Sequence, residues 1–447
     1  MKKRILRTAA LLLSLACLIL PAAAAGEAVA LRGIAEDSVP DANGIGAAAV
    51  WNIENETFVY EHNVDAPLAP ASLTKLMTAV CAYEVLGGRM DETLTVEYGM
   101  IAAASGNQVG YYVGETVTVR DLFGGLLTRG ANDCADLLAY AADGGTDAFV
   151  ARMNEQAAAL GMSATVYKNP TGMNAEGAVT TARDSIRVAA AFHAIPALTA
   201  LSSSVQYEMP ATNKAAARII YNRNALVSRV SETGYFDARV TGLNAGSTVE
   251  SGYYAASAVG SETLHYVIAV LGAVEAEGMN LAYTYTSKLA DYALSRFGYI
   301  EVIKAAGAVC ELPVTLSSTA DYVALVPATS LTLYLSLSTD VDTELVKTVR
   351  LDHESLEAPV EAGRAVGVYS VSRGGELLGS VDLVTKNALP RSEFLVVLRS
   401  IEDFTTGVFF LGTVAAAVVL TLLYFLIRAL MRRREGRRGA PRHYRSR

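Results

Sequence analysis

Pro70-Ala71-Ser72-Leu73-Thr74-Lys75-Leu76-Met77-Thr78-Ala79-Val80 is the stretch from which the rest of this 447-residue chain becomes readable. After Pro70, the apolar residues Leu73, Leu76, Met77, Val80 and Leu86 recur at helical spacing until Gly87-Gly88 ends the run. Residues 72–86 therefore read as a helix on which Ser72 and Lys75, three positions apart, share one face. An amine beside a hydroxyl can take its proton, which is what serine activation without histidine requires. Burial favours the neutral amine, and a serine in the first turn lies near the positive end of the helix. S-x-x-K by itself arises by chance in many chains, so its meaning rests on its surroundings.

Two further elements supply those surroundings. Gly130-Ala131-Asn132-Asp133-Cys134 offers a carboxamide, and Gly242-Leu243-Asn244-Ala245-Gly246-Ser247-Thr248 stands where a third element of K-T-G type belongs. Between these two lie Phe149-Val150-Ala151-Arg152-Met153-Asn154, Leu160-Gly161-Met162, Thr165, Asn169-Pro170, Gly172 and Thr180-Thr181-Ala182-Arg183-Asp184. In order and spacing, residues from roughly 40 to 390 resemble the D-alanyl-D-alanine carboxypeptidase family, the low-molecular-mass penicillin-binding proteins.

The resemblance implies an α+β fold: a penicillin-binding/β-lactamase-like serine transpeptidase domain, a small all-β domain after it, and one C-terminal transmembrane helix. It implies Ser72 as the nucleophile that forms the acyl-enzyme, Lys75 as general base, and Asn132 orienting Lys75 and the substrate amide. Backbone N–H groups of Ser72 and Ser247 would form the oxyanion hole, with Asn244 and Thr248 contacting the substrate carboxylate. Peptidoglycan stem peptides are the implied substrate and β-lactam antibiotics the implied inhibitors. No cofactor or metal is implied.

The departures are as specific as the match. Where the family carries the shuttle serine of S-x-N, this chain has Gly130; where it carries lysine and threonine of K-T-G, it has Asn244 and Ala245. An arginine that follows in the family has no counterpart in residues 279–289. Exchanging an ammonium for a carboxamide removes a charge-assisted hydrogen bond worth about 1.5–3 kcal/mol. Two alternatives therefore stand beside a carboxypeptidase of reduced or altered activity: an impaired wall-binding or scaffold homologue, and a β-lactamase or esterase on the same fold. Against a class A β-lactamase, the chain lacks a convincing E-x-x-L-N element.

The ends indicate an exported, membrane-tethered protein. Lys2, Lys3, Arg4 and Arg7 precede an apolar stretch and a run of small residues ending at Ala25, which reads as a signal peptide over 1–25. Ser14-Leu15-Ala16-Cys17 is a poor lipobox. Residues 407–427 carry no charge and suffice for one membrane span. Nine arginines against Glu435 follow in 428–447, so the positive-inside rule makes that tail cytoplasmic and the preceding domains extracellular. The tail reads as an orienting, lipid-contacting segment rather than a nucleic-acid arm. Between signal and tail, 24 basic residues face 44 acidic ones, about −20, a balance that disfavours nucleic acid.

Coarse patterning completes the expectation. Strand-like runs at 47–53, 254–258 and 266–271 alternate with helical runs at 72–86, 135–142, 146–160, 185–192 and 282–297 in a catalytic domain over 26–300. Residues 242–248 are expected to begin an edge strand lining the cleft. Over 301–390, alternating leucines at 331, 333, 335 and 337 and the Gly374-Gly375 turn signal predict the β domain, which Ala358-Pro359-Val360-Glu361-Ala362-Gly363 makes similar to the family's second domain. Residues 391–406 read as a stalk. Cys81, Cys134 and Cys310 show no zinc spacing and read as buried thiols.

Overall fold

The computed structural model describes residues 39–230 and 234–438 and divides the chain into two units. The first ends at Gly298 and takes back Tyr334–Ser338; the second holds Tyr299–Leu333 and the chain from Thr339 onward. The signal peptide, Cys17, His443 and tail residues 439–447 lie outside the described residues.

The first unit is built on a five-stranded antiparallel sheet. Its strands are β1 (Ala47–Asn52), β2 (Thr57–His62), β3 (Val240–Thr248), β4 (Gly252–Gly260) and β5 (His265–Ala273), in the order β2-β1-β5-β4-β3. Side chains alternate across a strand, and here both faces are apolar. Ala47, Ala49, Val267, Ala269 and Leu271 enter one core, whereas Ala48, Val50, Tyr266, Ile268 and Val270 enter another. Helices must therefore cover both sides. On the first face lie α1 (Thr74–Leu86), α2 (Asn132–Asp143), α3 (Thr146–Ala159) and α4 (Ala182–His193), and on the second α5 (Leu281–Arg296).

Helix α1 differs from its sequence pattern in an informative way. The periodic leucines mark one apolar face, yet Lys75, Thr78, Ala79, Cys81 and Ala82 are buried too. Small residues let α2, α3 and α4 approach on several sides, so α1 is a central helix rather than an amphipathic surface one. Its buried Thr78 hydroxyl is satisfied by the Pro170 carbonyl at 2.6 Å.

The second unit carries a six-stranded sheet. Its strands are β6 (Cys310–Thr315), β7 (Tyr322–Pro327), β8 (Val346–Leu351), β9 (Leu356–Glu357), β10 (Ala365–Arg373) and β11 (Glu376–Thr385), ordered β8-β10-β11-β7-β6-β9. Gly374 and Gly375 both adopt positive φ in the β10–β11 turn, which is why two glycines stand there. Leu312, Val323, Leu325, Val366 and Leu383 form its core. The strand Leu331–Ser336 is half-buried as its alternation suggested, but Tyr334–Ser338 group with the first unit. There Tyr334 stacks on Phe297 and shares a 2.9 Å hydrogen bond with the Tyr266 hydroxyl.

Two helices close the described chain: α6 (Glu393–Thr406) and α7 (Val408–Arg438). The segment read as a stalk is thus helical, with the Ser392 hydroxyl capping Leu395 N–H. Within α7, Val408–Arg432 is long and apolar enough to cross a membrane.

Candidate active site

Ser72 sits in a single tight turn, Ala71–Leu73, that leads into α1. Ala71 has φ +43°, left-handed for a residue with a β-carbon, which costs roughly 1–2 kcal/mol and persists because the surroundings enforce it. Gly172, at φ +75°, lies with its backbone against the Ala71 carbonyl where no side chain fits. Lys75, three residues on, lies in the first turn of α1 and is only 4% exposed. Its Nζ donates to the Thr171 carbonyl at 2.5 Å. That carbonyl is held in place because Asn169 Oδ1 accepts from Thr171 N–H, Gly172 N–H and the Thr171 hydroxyl. Burial lowers the Lys75 amine to about 8, against the opposing pull of the Asp136 carboxylate. No hydrogen bond among the described residues joins Ser72 to Lys75.

The carboxamide arrives from the start of α2. A short helix, Val119–Gly124, runs into a π-type turn, Gly125–Arg129, which ends at Gly130 with φ +67°, and Asn132 opens α2 two residues later. Asn132 Nδ2 donates to the Ser105 carbonyl at 2.6 Å, while its Oδ1 is buried without a partner. The loop carrying Ser105 is clamped to α2 by Asp133, whose carboxylate accepts from Val109, Gly110 and Cys134 N–H at 3.0, 2.8 and 3.0 Å. Cys134 is fully buried, its Sγ filling the space that the missing side chain of Gly125 leaves. Burial drives its thiol far above the ordinary range, so it is no nucleophile.

Edge strand β3 closes the other side. A β-bulge falls between Gly242 and Asn244, and Gly246 brings bare backbone against Ser72. Asn244 is 7% exposed and its Oδ1 has no partner. Ser247 is exposed, and the Thr248 hydroxyl accepts from Ser251 N–H at 3.0 Å. Ser72, Lys75, Asn132, Asn244, Ser247 and Thr248 all line one cavity of about 1040 Å³.

Several lining groups were not singled out from the sequence. The Thr171 carbonyl is one, and no sequence pattern announces a carbonyl. Arg129 and Arg223 are others: Arg129 Nε donates to the Gln108 carbonyl at 2.6 Å and Arg223 Nη1 to Asn107 Oδ1 at 2.9 Å. They bring positive charge to a cavity whose third element has lost its lysine. Asp136, also buried on α2, carries one available signal: it is a carboxylate beside the buried apolar residues Ala135, Leu137, Leu138 and Ala139.

A family model described as D-alanyl-D-alanine carboxypeptidase matches residues 38–275, and one described as penicillin-binding protein 5, C-terminal domain, matches 299–391. The chain is 26% identical over 361 residues to the D-alanyl-D-alanine carboxypeptidase DacF of Bacillus subtilis, covering 79% of this chain and 88% of that protein. With DacA of Escherichia coli it shares 26% over 343 residues, 75% and 81% of the two chains. In fold it is similar to the carboxypeptidase DacD from Francisella tularensis, with a TM-score of 0.57 at 21% identity over 79% of this chain and 95% of that one. Penicillin binding protein 5 from Haemophilus influenzae gives a TM-score of 0.56 at 20% identity, over 80% and 100%. These matches favour the peptidase over the scaffold and β-lactamase alternatives, and with more than half of the chain under the first match, it belongs to the D-alanyl-D-alanine carboxypeptidase family.

Proposed function

We propose that this chain trims the terminal D-alanine from peptidoglycan stem peptides through an acyl-enzyme on Ser72. The observation that carries the reading is the convergence of Ser72, Lys75 and Asn132 in one cavity of a carboxypeptidase-family fold. Lys75 Nζ takes the proton as Ser72 Oγ attacks the carbonyl carbon of the penultimate D-alanine. The peptide C–N bond then breaks and the leaving amine takes that proton. A water molecule repeats the sequence on the ester, and Ser72 Oγ is reprotonated. Asn132 Oδ1, buried and unpartnered, is suited to accept from the substrate amide or from the ammonium of Lys75. Backbone N–H groups of Ser72 and Ser247 serve as the oxyanion hole. Asn244 and Thr248 meet the terminal carboxylate, with Arg129 and Arg223 supplying positive charge on the same wall.

The position of this activity follows from charge. By the positive-inside rule, the arginines after the apolar span support a cytoplasmic tail with both folded units outside and α7 in membrane lipid. The direct test is covalent labelling of the full-length protein in detergent by a fluorescent penicillin. Label on wild type and none on Ser72→Ala supports the reading; a folded wild type unlabelled at millimolar probe refutes it.

A further inference from the structure

Behind the cavity, α2 carries a second carboxyl besides Asp133. Asp136 follows Asn132 by four residues, one helical turn along the same face, on a helix packed against α1. It is 8% exposed, and no hydrogen bond among the described residues ends on its carboxylate. A carboxylate so placed is costly unless it faces a charge.

The charges nearby are otherwise engaged. On its own helix, Asp133 is spent on backbone N–H groups of the 105–111 loop. Asp121 of the preceding helix is bonded by the Thr118 and Tyr207 hydroxyls, and Asp143, at the far end of α2, by Arg152 from α3. Asp184 of α4 is bonded by Thr165, Ala164 N–H and Arg187, and Arg129 by the Gln108 carbonyl. Lys75 is what remains: among the described residues, Asp136 is the carboxyl group whose charge acts on its amine. Conversely, burial and Asp133 push the Asp136 carboxyl up to about 7, and Lys75 pulls it back down.

Gly130 offers no hydroxyl to carry a proton onward. The proton lifted from Ser72 then stays on Lys75 until the leaving amine is within reach, and that ammonium needs a counter-charge. We propose that Asp136 is a positioning residue for acylation, stabilising the Lys75 ammonium that forms when Ser72 Oγ–H gives up its proton. The proposal rests on the carboxypeptidase reading above. It assigns to this chain a charge that the three motif elements do not contain.

The test uses the full-length protein in detergent micelles. With nine lysines in the chain, ¹³Cε-lysine labelling and Lys75→Met assign the Lys75 signal, whose pH titration needs no turnover. In Asp136→Asn the Lys75 midpoint should fall by at least about half a pH unit, while Asp136→Glu keeps it within about 0.2, since only the former removes the negative charge. The acid limb of penicillin labelling should move down with it. A packing defect would lower the folded fraction and leave both midpoints in place. Should Asp136→Asn fail to fold, Asp136→Leu carries the same measurements. A labelled chain whose Lys75 midpoint is unchanged in the folded charge-removing variant overturns the proposal and spares the carboxypeptidase reading. A midpoint that moves in a chain whose Ser72 never takes label upholds the Lys75–Asp136 coupling and overturns that reading instead.

Discussion

A β-carbon on Gly246 would stand 2.8 Å from Ser72 Cβ and closer still to Ser72 Oγ. The strand that closes the cavity therefore touches the nucleophile through bare backbone. Gly246→Ala should either displace Ser72 or push β3 outward, and a shift of about 1 Å at a nucleophile costs on the order of a hundredfold in rate. The expected outcome is penicillin labelling slowed at least about a hundredfold, with circular dichroism unchanged. Labelling at the wild-type rate would show that the strand yields without cost.

The pH dependence follows from Lys75. With its amine at about 8, the neutral base is scarce at pH 6 and predominant at pH 9. Labelling of Ser72 should rise roughly tenfold per pH unit below that midpoint and level off above it. The effect on stability has a definite sign. The amine binds its proton less tightly when folded than at its ordinary 10.5, so the unfolded chain holds more protons between about 8 and 10.5. Over that window wild type should gain stability relative to Lys75→Met as pH rises, measured by urea unfolding at each pH. Wild type losing stability relative to Lys75→Met as pH rises through that window would contradict the buried, depressed amine.

Asp133 offers a test of how the site is held. Its carboxylate satisfies three backbone N–H groups, and the loop it clamps presents the Ser105 carbonyl to Asn132. Asp133→Ala leaves those donors buried, so it should cost about 3 kcal/mol in chemical denaturation and slow labelling as well. A loss of stability without any loss of labelling would show that Asn132 keeps its place unaided.

How legible was this site? Ser72 and Lys75 are legible together because their relation is local: three positions apart, with Ser72 in the tight turn that leads into α1 and Lys75 in the helix's first turn. Asn132 was legible through its neighbours in sequence, and the strands of the central sheet through their apolar runs at 47–53 and 266–271. What the sequence hid is tertiary. The charge of Asp136 bears on Lys75 only because α2 packs on α1, and Arg223 reaches the cavity from a segment whose own pattern is unremarkable. The 391–406 segment reads as a stalk, yet exposed Phe394, Val397, Leu398, Ile401 and Phe404 fall at helical spacing on α6.

Restoring the missing groups tests whether they are losses. No atom lies within 4 Å of a β-carbon built on Gly130, so a serine fits, but its φ of +67° should cost about 1 kcal/mol of stability. Combined with Asn244→Lys and Ala245→Thr, it returns two hydroxyls and a cation to the substrate's side of the cavity. Release of D-alanine from a stem-peptide mimic should rise at least about tenfold, equivalent to about 1.4 kcal/mol in the barrier. A combined variant that is folded and no faster would show that Arg129 and Arg223 already suffice.

Orientation is checked in intact protoplasts. Added protease should release a large fragment ending near residues 391–406 and leave the arginine-rich tail inside. Digestion of the tail with the folded units protected would reverse the assignment.

The seat of Cys134 turns the protein into its own reporter. Its sulfur occupies the hollow beside Gly125, two residues along α2 from Asn132, with the thiol kept protonated by burial. Alkylation by iodoacetamide needs a thiolate in contact with water, so in the native molecule it can proceed only when α2 parts from the π-type turn. The rate at which Cys134 is alkylated thus counts the breathing of the helix that presents Asn132. A substrate or penicillin seated in the cavity should slow that count without touching the sulfur.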